Sequence, residues 1–177
     1  MRVQDTETAD GAHPVVASGE QQSALHLWVV MSRAHAAIAL HAAADVAQHG
    51  LTLAEFAILE VLYHRGAMLL GEVQRRILVS SGGITFLVDR LTVKGLVERR
   101  SCPSDRRARY AALTPQGETL MAEIFPEHAA TIARAMGALP PHDLQRTAES
   151  LRTLGLYASA LPEKRSASQQ RDDGGSE

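Results

Sequence analysis

Apolar residues follow a helical period over most of this chain, and a short central stretch departs from it. A helix is predicted over 81–94, where four apolar residues are spaced i, i+3, i+4 and i+7. These residues are Ile84, Leu87, Val88 and Leu91. The opposite face carries Gly82, Phe86, Asp89 and Arg90. Ser80 is suited to cap the start of this helix, and Lys94 with Gly95 to end it.

Two short segments after this helix predict a β-hairpin. Residues 96–100 and 109–113 have the composition of strands, and Pro103, Ser104 and Asp105 have that of a tight turn between them. A helix followed by a basic hairpin is typical of the winged helix-turn-helix. We therefore expect a mainly α fold with a small β-hairpin wing.

Helices are also predicted on the N-terminal side of this element. A long first helix is expected over 21–49, where small and medium apolar residues recur. Thr52 and Glu55 form a capping box that opens a second helix. A third helix over 70–77 would pair with the helix at 81–94 as the helix-turn-helix.

Two further helices are predicted after the hairpin. Thr114 followed by Pro115 is a strong start for a fifth helix, and Pro126 is expected to kink it. A sixth helix is predicted over 142–160, after a pair of prolines. The long first, fifth and sixth helices have apolar faces that a small core cannot cover, so we expect them to join two copies of the chain. We predict a disordered segment over 1–20, a domain over 21–161 and a disordered tail over 162–177. Within the domain, the winged helix-turn-helix core is at about 52–114 and the dimerisation helices are at about 21–49 and 115–161.

The charge of the chain is unevenly distributed. The 177 residues carry a formal net charge of −2, but residues 72–109 contain nine Lys/Arg and four Asp/Glu. A basic segment on an acidic body favours a local surface that binds a polyanion, although a solvated charged face would have the same composition. Cys102 is the single cysteine, which excludes an intramolecular disulfide framework and fits a reducing compartment.

The remaining composition narrows the class of protein. The N-terminus has no signal-peptide pattern, and no uninterrupted apolar run approaches the roughly 18 residues of a membrane span, so we predict a cytoplasmic protein with no membrane partner. The sequence also contains no nucleophile-and-base motif, phosphate-binding glycine loop or dinucleotide fingerprint. We therefore expect neither an enzyme nor a cofactor.

Several motifs resemble those of the MarR-type winged helix-turn-helix regulators. They are LVDRL, KGLVERR, the DRR of the predicted wing and the LTPQG that follows it, and the resemblance extends over about 25–161. Within that family, FPEH, ILVSSGGITFLVDRL and SCPSDRR resemble the branch that represses genes for handling quinones and hydroquinones. The resemblance implies a homodimer on a pseudo-palindrome in double-stranded DNA, and repression that a small aromatic ligand or an oxidant relieves.

The helix at 81–94 is the expected recognition helix, because the major groove shows a distinct pattern for every base pair. Its first turn would approach bases and phosphates through Ser81, Gly82, Gly83 and Thr85. Phe86 stands where many family members have an arginine. It would either contact a thymine methyl group or pack against a neighbouring helix.

The wing carries the family's D-x-R pattern. Arg107 is expected to enter the minor groove, Arg106 to contact phosphate, and Asp105 to orient the wing through an ion pair. Other expected phosphate contacts are Arg75, Arg76, Arg90 and Lys94.

An effector cleft is expected where the dimerisation helices meet the DNA-binding lobe. Aromatic side chains beside a cation would suit a phenolate or carboxylate. The predicted lining residues are Trp28, Arg33, His35, Phe56 and Tyr63, each of which would otherwise be a packing residue. Cys102 is either a target for an electrophilic quinone, with Arg99 and Arg100 nearby to favour its thiolate, or a small strand-end residue.

Two alternatives to a ligand-responsive repressor follow from the sequence. His41, Asp45 and His49 lie at i, i+4 and i+8 on the first helix, which would suit a metal-responsive regulator, although a solvated face has the same spacing. The other alternative is a winged-helix module that binds protein partners instead of DNA.

Overall fold

The computed structural model describes residues 18–77, 81–101 and 109–162. Its elements in chain order are α1 (Gly19–Ala47), α2 (Leu53–Arg65), β1 (Met68–Leu69), α3 (Leu70–Ile77), α4 (Ser81–Val93), β2 (Val97–Ser101), β3 (Arg109–Leu113), α5 (Pro115–Ala135) and α6 (Pro141–Ala160). The predicted mainly α fold with a small β-hairpin wing is confirmed. The chain divides into two compact units, one that ends at Ile132 and one that begins at Ala133.

Local capping signals explain where the helices begin. Ser18 caps α1 and exchanges hydrogen bonds with Gln21, so α1 starts before the predicted residue 21 and residues 18–20 are not disordered. At the start of α2 the predicted capping box is present. The backbone N–H of Thr52 donates to Oε2 of Glu55 over 2.8 Å, and the backbone N–H of Glu55 donates to Oγ1 of Thr52 over 3.2 Å.

The sheet has three antiparallel strands in the order β1-β3-β2. The predicted hairpin strands are β2 and β3, with Val97 opposite Leu113 and Ser101 opposite Arg109. The sequence analysis did not predict β1, a strand of two residues that pairs Met68 with Ala111. This strand anchors the inner end of the wing to the helical core. The predicted turn at 103–105 lies outside the described residues.

The hydrophobic core of the first unit lies between α2, α3, α4, the sheet and the first half of α5. Val46 of α1 also belongs to this core, and its other fully buried side chains include Phe56, Ile58, Leu59, Leu62, Val73, Val88, Leu91, Val97 and Met121. The apolar face predicted for the helix at 81–94 is confirmed, because Ile84 is also buried and Leu87 packs against this core.

The wing is joined to α5 by a close backbone contact. The hydroxyl of Thr114 donates to the carbonyl oxygen of Gly95 over 2.6 Å and accepts from the N–H of Gly117 over 3.0 Å. A Cβ atom on Gly117 would lie 2.2 Å from the carbonyl oxygen of Leu96, so only glycine fits there. Gly95 has φ +72°, which lets the chain turn from α4 into β2.

Two helices keep large apolar surfaces exposed. On α1 only Ala42 and Val46 are buried, and α6 has no buried residue. The exposed large apolar residues of α1 are Leu25, Leu27, Trp28, Val29, Val30 and Leu40. Those of α6 are Leu151, Leu154, Leu156 and Tyr157.

By length and composition alone, α1 is also apolar enough to cross a membrane. This property was not predicted from the sequence, because His26, Arg33 and His35 interrupt the apolar run within the helix. Helices of soluble proteins also meet these criteria, so the finding is weak evidence for a membrane span.

Candidate nucleic-acid interface

The helix-turn-helix pair of α3 and α4 presents one face of α4 to solvent. Burial of Ile84 and Val88 fixes the rotation of α4 about its axis, so Thr85 and Phe86 project outward while Leu87 packs against the core. Gly82, Thr85 and Phe86 are exposed on this face, and Gly83 is partly buried. Ser81 begins α4, but its side chain lies outside the described residues.

Phe86 is largely exposed within the described part of the chain. Its exposure of 60% favours a contact outside the protein over the packing alternative. The guanidinium carbon of Arg90, one turn later, lies 5.7 Å from the centre of the Phe86 ring, a cation–π geometry. Phe86 is thus a large apolar group held at the surface of the predicted recognition helix.

A buried carboxylate anchors the C-terminal half of α4. Glu55 is fully buried, and its Oε1 lies 2.9 Å from Nζ of Lys94 and 3.3 Å from Nε of Arg90. No donor among the described residues makes a hydrogen bond to this oxygen, so these two contacts are ion pairs. Lys94 also donates to the carbonyl oxygen of Gly50 over 2.8 Å. Glu55 of the α2 capping box therefore holds both Arg90 of α4 and Lys94, the residue that follows α4.

Burial by itself would raise the pKa of Glu55. The hydrogen bond from the Thr52 backbone, together with the contacts from Lys94 and the Thr52 hydroxyl, outweighs that effect, so the pKa of Glu55 is held below its ordinary value. Glu55 is thus a carboxylate at neutral pH, and the sequence analysis recognised only its capping role.

Two ion pairs neutralise the acidic side chains beside the wing. Oδ1 of Asp89 on α4 lies 2.7 Å from Nη2 of Arg99 on β2, and the same Nη2 lies 3.4 Å from the carbonyl oxygen of Thr85. Glu98 pairs with Arg100 at 2.6 Å. The first pair joins α4 to the wing, the second lies within β2, and both reduce the negative charge on this face.

The expected phosphate contacts differ in their surroundings. Arg90 and Lys94 form ion pairs with the buried carboxylate of Glu55. Arg75 and Arg76 are exposed on the last turn of α3, and neither has an ion pair within the described ranges. Both remain available to an external anion. The wing residues Cys102, Asp105, Arg106 and Arg107 lie outside the described residues.

The five predicted effector residues do not surround one cavity in a single copy. Phe56 is 1% exposed and belongs to the core, whereas Trp28, Arg33 and His35 are exposed on α1. Tyr63 instead belongs to an aromatic cluster that the sequence analysis missed.

The aromatic cluster consists of Tyr63, His64 and Phe125. The ring centres of Tyr63 and Phe125 are 6.1 Å apart, and those of His64 and Phe125 are 4.8 Å apart. Tyr63 and His64 are both exposed at the end of α2. Aromatic residues make up only 4% of the chain, so their rarity was the sequence feature that could have drawn attention to this cluster. A separate surface groove of about 490 Å³ is lined by Leu96, Pro115, Gln116, Thr119, Leu120 and Glu123.

The predicted metal candidates do not act as one group. Asp45 turns toward α5, where its Oδ2 lies 2.8 Å from Nδ1 of His128 and its Oδ1 accepts from Thr131 over 3.4 Å. His41 and His49 are exposed. Within the parts of the chain that the structure describes, no three His, Cys, Asp or Glu residues are placed to hold a metal ion.

Comparison with known proteins connects this geometry to a family. The model of the MarR family matches residues 49–108, which contain α2 to α4 and β2. The HTH-type transcriptional regulator MhqR of Bacillus subtilis strain 168 is 38% identical over 143 residues, which cover 81% of this chain and 99% of that protein.

Solved structures share the fold. Sco3205, a MarR family transcriptional regulator from Streptomyces coelicolor in complex with DNA, has a TM-score of 0.71 at 22% identity and covers 82% of this chain and 91% of its own. BpsR of Bordetella bronchiseptica, whose DNA binding is regulated by 6-hydroxynicotinic acid, has a TM-score of 0.67 at 25% identity and covers 73% of this chain and 98% of its own.

Proposed function

Because this chain belongs to the MarR family of transcriptional regulators, we propose that it is a homodimeric repressor that binds a pseudo-palindromic operator and releases it when a small aromatic ligand or an oxidant binds. The related proteins are transcriptional regulators and not enzymes, in agreement with the sequence-based expectation. The exposed face of α4, within the basic segment of the chain, is the observation that carries the DNA-binding part of this proposal.

In the proposed complex each copy places α4 in a major groove, and the two helices are about one helical turn of DNA apart. The N-terminal turn of α4 contains Gly82 and Gly83 and has little side-chain volume, so it can approach the sugar-phosphate backbone of the DNA closely. Arg75 and Arg76 contact phosphate. Pairing of Asp89 with Arg99 keeps the one acidic side chain of α4 from repelling the DNA.

The wing completes the interface in this proposal. Arg107 enters the minor groove, Arg106 contacts phosphate and Asp105 orients the tip. The ion pair between Arg99 and Asp89 supports this arrangement, because it ties the base of the wing to α4.

A second copy of the chain would cover the exposed apolar residues of α1 and α6. Burial of such residues, at about 25 cal/mol per Å², would favour dimerisation, and the polar His26, Arg33 and His35 suit an interface with water better than a bilayer. A DNA-binding dimer of this kind acts in the cytoplasm.

The aromatic cluster of Tyr63, His64 and Phe125 is the proposed contact for the effector. Flat rings stack on exposed aromatic side chains, and the cluster joins α2 of the DNA-binding core to α5. BpsR is regulated by an aromatic acid, and the quinone-type ligands suggested by the sequence have similar flat rings. Binding there would favour one spacing of the two α4 helices over another. Trp28, Arg33 and His35 on α1 remain predicted contacts.

The test is an equilibrium binding measurement with the purified full chain. Duplexes from upstream of its own gene and duplexes selected from a random pool are titrated at several salt concentrations, and sedimentation gives the oligomeric state. Saturable, salt-dependent binding of a dimer is expected, and release by one of a panel of quinones, hydroquinones and aromatic acids identifies the effector class. Absence of specific binding at low salt would overturn the repressor, and zinc-dependent affinity lost on His41→Ala would point to metal control.

A further inference from the structure

Phe86 is a large apolar residue that α4 exposes to solvent. It is a large apolar group, 60% exposed, between the exposed Thr85 and the buried Val88. A phenyl ring has neither a donor nor an acceptor for the polar edges of the bases. Covering this ring with an apolar partner would therefore be favourable.

The orientation of the Phe86 ring is supported from the core of the protein. Arg90 lies over the ring, and its Nε is 3.3 Å from Oε1 of the fully buried Glu55. The guanidinium group of Arg90 thus contacts Glu55 of α2 and the Phe86 ring at the same time. The chain of contacts from Glu55 through Arg90 to Phe86 limits the rotamers of an otherwise exposed side chain. A ring held in this way loses little conformational entropy when it binds.

The major groove offers one apolar group on its base edges, the C5-methyl of thymine. The same methyl group occurs on 5-methylcytosine. Gly82, which lies one turn before Phe86 on the exposed face of α4, has no side chain that could contact a base. Phe86 therefore offers the largest apolar surface near the start of this face for a contact with a base, larger than the methyl group of Thr85.

We propose that Phe86 is a specificity-determining residue that contacts the C5-methyl group of a pyrimidine in each half-site. Arg90 and Glu55 act as positioning residues for its ring. This inference rests on the proposed DNA-binding function, and it adds a sequence requirement to it: each half-site contains a methylated pyrimidine, ordinarily thymine, opposite Phe86.

The test removes single methyl groups from the DNA. A duplex selected from a random pool with the purified full chain is synthesised with each thymine replaced in turn by uracil, which changes only the methyl group. At one symmetric pair of positions, replacing thymine by uracil is expected to lower the affinity of wild-type protein about fourfold for each half-site. This factor corresponds to the free energy of burying one methyl group, about 0.8 kcal/mol. Phe86→Ala is expected to bind thymine and uracil duplexes equally at that pair. Replacing the same base pair by cytosine or 5-methylcytosine then distinguishes the two sources of the methyl group, with wild-type protein preferring the methylated base.

Val93→Ala provides a matched control. Val93 is an apolar residue on the same helix with 89% of its side chain exposed, but it lies at the opposite end from Gly82, so this variant should keep the wild-type ratio of thymine to uracil affinity. Wild-type protein that is indifferent to every uracil substitution would overturn the inference, as would a Phe86→Ala variant that keeps the discrimination. Failure to select any duplex would overturn the proposed function itself, which distinguishes the two failures.

Discussion

Asp45 on α1 lies 2.8 Å from His128 on α5, between carboxylate Oδ2 and imidazole Nδ1. The imidazole ring also lies on Phe56 of α2, with 4.2 Å between ring centres and a tilt of 46°. His128 is 8% exposed, so this polar group is satisfied inside the core by one residue that is 83 positions away. Three helices of the first unit thus meet at one side chain.

Loss of the Asp45 carboxylate is therefore expected to destabilise the fold. Asp45→Ala leaves a buried imidazole nitrogen without its partner, which costs about 1–3 kcal/mol of unfolding free energy. Denaturant unfolding at a fixed protein concentration measures it. The neighbouring exposed residue of the same helix supplies the control, since His41→Ala should change stability by less than about 0.5 kcal/mol. Equal stability of the two variants would refute this role for Asp45.

Glu55 is expected to make stability depend on pH. Its folded-state pKa is lowered from the ordinary value of 4.5, so the unfolded chain binds more protons around that pH and stability rises with pH there. The contribution is complete above about pH 5 and is lost as pH falls through the folded-state pKa. Glu55→Gln should cost roughly 2 kcal/mol at pH 7, less than a fully buried pair because Arg90 and Lys94 are partly exposed.

The difference between wild type and Glu55→Gln should shrink as the pH is lowered from 7 to 3. Glu60→Gln on the same helix is the control, since Glu60 is only partly buried. A pH-independent difference would show that the carboxylate charge of Glu55 is not what stabilises the end of α4.

Arg75 and Arg76 are expected to act on DNA through charge alone. Each substitution to alanine should weaken binding to all duplexes by a similar factor and reduce the slope of log affinity against log salt by about 1. Arg146→Ala on α6, which removes an exposed arginine outside the helix-turn-helix, should leave the slope unchanged. A change in sequence preference, or an unchanged slope, would contradict a phosphate role.

Arg107→Ala is expected to weaken operator binding by about tenfold or more, the value of one or two charge-assisted hydrogen bonds. Arg107→Lys keeps the charge but not the planar guanidinium, so it should recover only part of the loss. Fluorescence anisotropy with a labelled duplex measures both variants. Wild-type affinity in Arg107→Ala would remove the wing from the interface.

Gly117→Ala should destabilise the protein by about 1–3 kcal/mol, because the added Cβ would lie 2.2 Å from the carbonyl oxygen of Leu96 and must push the wing and α5 apart. Gly82→Ala provides the contrast. Among the described residues, no atom beyond its chain neighbours and the local helix backbone lies within 4 Å of its added Cβ, and alanine favours the helix by roughly 0.5 kcal/mol. Thermal unfolding of both variants tests the prediction, and a neutral Gly117→Ala would refute the close contact.

Much of the fold was predictable because its signals are local. The capping box of Thr52 and Glu55, the start of α5 at Thr114 and Pro115, and the apolar stripe of α4 each involve residues within about two turns of one another. The same locality explains the errors. β1 has only two residues, too few for a period, and it forms because β3 offers a free edge. Helix ends shifted by one or two residues because neighbouring polar groups compete to cap them.

The candidate interface was predictable as a helix face and less so as a set of contacts. Charge and the spacing of Ile84 and Val88 were enough to predict that Phe86 and Arg90 share the exposed side of α4. Sequence could not indicate that Arg90 is tied to Glu55, that Asp89 is tied to Arg99, or that Asp45 pairs with His128. The order of residues determines which side chains share one helix face, since the helical period depends on the chain itself. Which faces meet depends on how helices distant in sequence pack to exclude water, and only the tertiary structure decides it.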